Sequence, residues 1–93
     1  MVAINRTGDY EKMLEDLADE DEEMLERVRA RVKIFRKNPK DTRIDNHPLH
    51  KRMEERWAFS VNDDIRIVYE WVGKTTVRLL AIGTHEAVYK KSS

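Results

Sequence analysis

Trp57-Ala58-Phe59-Ser60-Val61-Asn62-Asp63-Asp64-Ile65-Arg66-Ile67-Val68-Tyr69-Glu70-Trp71 is the stretch that decides the fold of this chain. Trp57, Phe59 and Val61 alternate with Ala58 and Ser60, the two-residue period of a half-buried strand. Asn62-Asp63-Asp64 supplies turn chemistry. Ile65, Ile67, Tyr69 and Trp71 then alternate with Arg66, Val68, Glu70 and Val72, so Arg66 points away from the face that carries Ile67. Gly73-Lys74 turns the chain again, and Val77 to Ile82 reads as a third strand. Three strands joined by tight turns make an antiparallel meander. Gly83-Thr84-His85-Glu86 breaks the third strand and leaves Ala87-Val88-Tyr89 as a short tail.

Upstream, the period changes from two to 3.6. Val2-Ala3-Ile4 is apolar enough for a short strand, and Thr7-Gly8-Asp9 carries helix-start chemistry. Tyr10, Met13, Leu14 and Leu17 follow at the spacing of one helical face. Asp19 can cap a second helix, with Glu22 three residues on. Leu25, Val28, Val32 and Phe35 form its apolar stripe, and Asn38-Pro39 ends it. Lys40 to Arg56 is polar with an extended centre at Asn46-His47-Pro48-Leu49-His50. The expected fold is therefore α+β, in the order β-α-α-β-β-β. A helical hairpin packs on one face of a small antiparallel meander, because each apolar stripe must be buried against something. Length allows one domain over residues 1–93.

Composition narrows the class. Of 93 residues, 40% are apolar and 39% charged, which favours a folded chain over a disordered one. The absence of cysteine excludes a disulfide scaffold, a thiolate metal site and a cysteine nucleophile. No apolar run is long enough to span a membrane, and Met1 to Gly8 lacks a signal-peptide layout. A soluble, cytoplasmic protein is expected. The net charge of zero conceals a division: residues 1–23 hold two basic and nine acidic groups (−7), and residues 24–93 hold sixteen and nine (+7). Screening acts over about 8–10 Å, so a local basic face still attracts polyanions. Asp19 to Glu23 reads equally as a solvated helix start or as a shield for that face, and the role of acidic segment 15–23 stays open.

Few residues offer chemistry. His47 and His50 precede the meander and His85 follows it, and a pre-strand loop and a post-strand end can meet at one edge. Tyr69 and Tyr89, with Lys51, Arg52, Arg56, Arg66 and Arg78, complete the set. Arg66 is the most demanding, since a guanidinium within a half-buried sheet needs an anion or a wet concave face. His47 and His50 make a poor metal pair: Pro48 intervenes and no cysteine completes the shell. No metal or cofactor is expected.

From Phe35 to Tyr89 the chain resembles the RelE/ParE toxin superfamily, on the branch of YafQ-like and RelE/StbE-like mRNA interferases. The resemblance is carried by Phe35-Arg36-Lys37-Asn38-Pro39, Asn46-His47-Pro48-Leu49, Trp57 to Val61, Asp64 to Tyr69 and Leu79 to Tyr89. The Ile82-Gly83-Thr84-His85 block with Tyr89 four residues on is its most specific part. The resemblance implies a type II toxin, a ribosome-dependent endoribonuclease that cuts translated mRNA without a metal, held by a cognate antitoxin. It implies partners in the antitoxin, the ribosome and mRNA, with no membrane and no small-molecule ligand. Carried over by position, His47 is the general base and His85 the general acid. Arg66 contacts the scissile phosphate, Tyr89 stacks on the nucleotide, and Asp64 matches an acidic position of the YafQ-like branch. Lys51, Arg52 and His50 are expected to bind substrate, the first two from charge and location. Two departures matter: His50 to Arg56 lacks the family's usual glycine, and the chain is neutral where ribosome-acting members are commonly basic. The alternative of the same fold is a non-catalytic or gyrase-inhibiting, ParE-like toxin that acts by binding.

Overall fold

A computed structural model describes residues 1–49 and 55–92, with side chains through Val88. The order is β1 (Ala3–Arg6), α1 (Gly8–Glu20), α2 (Met24–Lys37), a 3₁₀ turn (Thr42–Ile44), β2 (His47–Pro48), β3 (Arg56–Ser60), β4 (Ile65–Trp71), β5 (Thr76–Thr84) and α3 (His85–Ser92). The strands form one sheet in the order β1-β5-β4-β3-β2. The expected α+β class and the antiparallel β3-β4-β5 meander are present.

Three features differ from the sequence reading. β1 pairs with β5 in parallel, which makes the sheet mixed. His47–Pro48 adds a fifth strand by pairing with Ala58 and Trp57. The expected tail is instead α3, capped where Thr84 Oγ1 accepts the Ala87 N–H at 3.2 Å. The parallel pair joins residues 73 positions apart and the edge strand is only two residues long, so local periodicity carries no trace of either.

The helical hairpin forms for the reasons foreseen, with one change at its corner. Thr7 caps α1 by accepting the Tyr10 N–H at 3.2 Å. The second helix starts after Asp21: its carboxylate accepts the Glu23 N–H at 3.0 Å and its carbonyl the Met24 N–H at 3.0 Å. Asp19, the expected cap, stays inside α1, because its own turn remains helical. Asn38 ends α2 as expected.

Two apolar layers hold the sheet. On one face Phe35 of α2 stacks on Phe59, centroids 4.4 Å apart, and meets Tyr69 edge-on at 4.8 Å. Ile67, Leu79 and Ile82 complete this layer with Tyr10 of α1. The opposite face carries Ala58, Val68 and Ala81, on which Val88 of α3 packs with Leu49. The helices thus cover both faces, not one as expected. Ala58 and Ala81 are small, which lets α3 lie close to the strands. No helix among the described residues is long and apolar enough to cross a membrane.

Candidate functional site

Arg66 belongs to the α3 face. It pairs with Ser60 on one side and Gly83 on the other, and cross-strand partners project to the same side of a sheet. Its Nε is buried and has no hydrogen-bond partner among the described residues. An unsatisfied buried donor costs about 1–3 kcal/mol, more on a charged group. Nothing among the described residues satisfies that Nε, which leaves it open to an acceptor brought into the site.

A cleft of about 700 Å³ opens around Arg66. His85, Asp64 and Thr84 line it, so three of the expected site residues, Arg66, His85 and Asp64, meet there. Asp64 is placed by Asn62, whose Oδ1 accepts the N–H groups of Asp64 at 2.8 Å and Ile65 at 2.7 Å. His85 is the first residue of α3, so the positive end of that helix faces the cleft beside Arg66.

Gly83 is the reason α3 can begin there. A Cβ on Gly83 would stand 3.3 Å from Ala87 Cβ and 3.8 Å from a Val88 methyl, at a backbone φ of +157°. The Gly83-Thr84-His85 sequence is thus a close approach, a cap and a first helical residue in succession.

His47 stands elsewhere. It pairs with Ala58 on β2, the far edge strand, and shares the face of Ala58, Val68 and Arg66. Strand spacing of about 4.8 Å and a rise of about 3.3 Å per residue put its Cα about 12 Å from that of Arg66. It does not line the cleft, and the two loops do not meet at one edge. Its Nδ1 lies 2.8 Å from the Asp45 carbonyl oxygen. In the neutral ring that contact puts the proton on Nδ1 and leaves Nε2 as the acceptor. Asp45 itself holds a left-handed φ of 46°, which aspartate tolerates better than most residues.

Tyr69, a chemical candidate on its sequence, is instead buried structure. Its hydroxyl donates to Asn46 Oδ1 at 2.8 Å, and burial pushes its pKa up to about 12. The Tyr89 backbone lies in α3. His50, Lys51 and Arg52 lie outside the described residues.

Sequence reasoning missed the far wall of the cleft. Glu20, Asp21 and Arg27 approach from the helical corner, opposite Asp63 and Glu86. Nothing local announces this contact between residues near 20 and residues near 64. With Asp64, five carboxylates and the two guanidinium groups of Arg27 and Arg66 line the cleft, so its rim is acidic. Arg27 is paired with Glu23 at 3.2 Å. Among the described residues no cluster of three histidines or carboxylates could hold a metal.

The family model described as the bacterial toxin of type II toxin-antitoxin system, YafQ, matches residues 2–90. A search by sequence among curated proteins gives no match. The fold is similar to that of YafQ from E. coli strain BL21(DE3), with a TM-score of 0.77 at 19% identity over 96% of this chain and 99% of that one. YafQ in the E. coli DinJ-YafQ toxin-antitoxin complex is similar at a TM-score of 0.76 and 20% identity, covering 95% and 97%. A YoeB/ParE toxin from Agrobacterium tumefaciens gives 0.75 at 17% identity, covering 90% and 99%. Matched along nearly its whole length and sharing the RelE-like sheet of these toxins, the chain belongs to the YafQ family of bacterial type II toxin-antitoxin toxins.

Proposed function

We propose that this toxin is an endoribonuclease that cuts mRNA presented on the ribosome, with no metal in the chemistry. The observation that carries the reading is the buried, unpartnered Nε of Arg66 in a cleft shared with His85. A phosphodiester is the anion that fits: planar donors match its oxygens, and the charge gained in the transition state strengthens the contact.

In this reading the 2′-oxygen bonds to phosphorus as the bond to the 5′-oxygen breaks. His85 protonates the leaving 5′-oxygen, and Arg66 holds the phosphoryl oxygens. His47, with Nε2 as acceptor, takes the 2′-proton from across the same sheet face. Asp64 orients His85 or the ribose from the cleft rim, and Tyr89 on α3 supplies a stacking surface. His50, Lys51 and Arg52 extend the phosphate contacts. The products are a 2′,3′-cyclic phosphate and a 5′-hydroxyl, and the proton taken from the 2′-hydroxyl is matched by the one given to the 5′-oxygen. A protein antitoxin holds the toxin in check, as DinJ accompanies YafQ in the E. coli complex.

The test is cleavage of mRNA on translating ribosomes by the purified toxin, with the ends identified chemically. Cyclic phosphate ends, and a loss of about 10²-fold in His85→Ala, are expected. The acidic rim favours one second reading, a toxin that acts by binding. Inhibition of gyrase supercoiling without RNA cleavage would establish it instead.

A further inference from the structure

A smaller hollow of about 200 Å³ opens off the Arg66 cleft, between α1, the end of β5 and α3. It shares Leu17, Glu20 and Thr84 with the cleft, so the two are continuous. Met13, Leu17 and Ile82 give it apolar walls, and Gly83, which has no side chain, leaves it room. Met13, Asp16, Leu17 and Glu20 recur at i, i+3, i+4 and i+7, so one face of α1 forms a whole side of it, half apolar and half carboxylate. A flat apolar body with a hydrogen-bonding edge suits such a site.

Charge decides which part of an RNA strand meets this wall. In the adjoining cleft five carboxylates face two guanidinium groups. One phosphate is accommodated beside Arg66, but a second would meet the carboxylates within the range over which like charges repel. What RNA offers a carboxylate is the N–H groups of its base edges. The strand therefore turns bases, not backbone, towards α1.

The sequence of α1 carries an independent sign of function at the same place. Asp16, Asp19 and Glu20 crowd its C-terminal end and its last turn holds no basic residue, the reverse of what the helix dipole favours. Local rules are broken in this way where function requires it. Asp16 is paired with Lys12 at 3.4 Å. Glu20 makes no ion pair among the described residues, so its carboxylate is the acceptor left available.

We infer that the hollow receives the base next to the scissile phosphate and that Glu20 reads its edge, selecting a base that carries an amino group. Guanine fits best, because its N1–H and N2–H donate side by side to the two oxygens of one carboxylate. Uracil fits worst, since its single N–H lies between two carbonyl oxygens that the carboxylate repels. The inference rests on the nuclease reading and adds to it a specificity residue on a helix that carries none of the proposed catalytic groups.

Two experiments on the whole chain test it. The first titrates short single-stranded RNA that lacks the attacking 2′-hydroxyl, and so cannot be cut, and follows the methyl resonances of Met13 and Leu17 by NMR. They should shift with a guanine-containing trinucleotide, which should bind about tenfold more tightly than its uracil counterpart. The second measures cleavage of ribosome-bound model mRNAs in which the bases flanking one cleavable nucleotide are guanine, inosine or uracil. Guanine should be cut about tenfold faster than uracil, with inosine, which lacks the amino group, between them. Glu20→Gln should remove most of both preferences and hold or raise the thermal midpoint. Glu15→Gln removes the same charge from an exposed position of α1 that lines neither cavity, and should change neither preference. A preference that survives Glu20→Gln, or that Glu15→Gln also removes, overturns the inference. So does a falling midpoint in Glu20→Gln, or equal methyl shifts with spermidine, which would assign the wall to a cation. Cleavage by the parent chain without base preference or methyl shifts defeats the base site alone. Base-selective shifts without cleavage defeat the nuclease reading alone.

Discussion

The Tyr69 hydroxyl donates a 2.8 Å hydrogen bond to Asn46 Oδ1, and Asn46 Nδ2 donates to the Pro39 carbonyl at 3.0 Å. Two bonds thus tie the centre of β4 to the residue before His47 and to the end of α2. The sheet core positions the imidazole of the edge strand through an amide that looks unremarkable in sequence. Tyr69→Phe keeps the ring and leaves Asn46 Oδ1 unsatisfied, at a cost of about 1 kcal/mol. Asn46→Ala, which removes both bonds, should cost about twice as much in urea denaturation. An unchanged midpoint in both variants would mean the connection holds nothing.

Alkali should unfold the protein by a defined route. Burial pushes the pKa of Tyr69 and of Tyr10 up to about 12, from an ordinary value of 10.0. A raised folded-state value means that stability is fully present below pH 10 and falls as pH climbs from 10 to about 12. Tyr69→Phe should flatten part of that decline. At the other end, the Arg43 guanidinium holds Asp41 down to about 2, so its contribution is present above 3.8 and lost as pH falls toward 2. Thermal midpoints across pH read both limbs.

Phe35 is the pin between α2 and the sheet. It is completely buried between Phe59 and Tyr69. Phe35→Ala should destabilise by about 3–5 kcal/mol, enough to unfold much of the population of a small domain. A loss below about 1 kcal/mol in denaturant titration would show that the stack is not the keystone of the helical face.

Gly83 sets the seat of α3. Gly83→Ala places a methyl group 3.3 Å from Ala87 Cβ at a φ of +157°, so α3 must shift and carry His85 with it. A loss of about 1–3 kcal/mol is expected, with mRNA cleavage falling further than stability alone explains. Adding Ala87→Gly should restore part of both by relieving the contact. Failure of the second change to recover anything would place the strain in the backbone alone.

How much of this was legible in the sequence follows from the range of the interactions. The strands of Trp57–Trp71 obeyed their two-residue period, and Arg66 lies opposite Ile67 because the pleat allows nothing else. The Thr7 cap and the Asn38 stop are equally local. The α3 helix was hidden because Gly83 and Thr84 look like a strand breaker followed by a polar loop, whereas Thr84 is its cap. The β1–β5 pair and the acidic cleft wall join residues some 40 to 70 positions apart, and no short pattern encodes them. His47 shows the same limit: its motif was visible, but its place on the far edge strand was set by pairing with Ala58.

Replacing Arg66 by glutamine separates a catalytic guanidinium from a structural one. The change removes a buried donor that nothing in the described fold satisfies, so the thermal midpoint should hold or rise. Cleavage of ribosome-bound mRNA should fall by about 10²-fold or more, with the charge on the scissile phosphate left uncompensated. A variant that cleaves at the parental rate, or one whose stability drops while its activity per folded molecule persists, would contradict the assignment of Arg66 to the substrate.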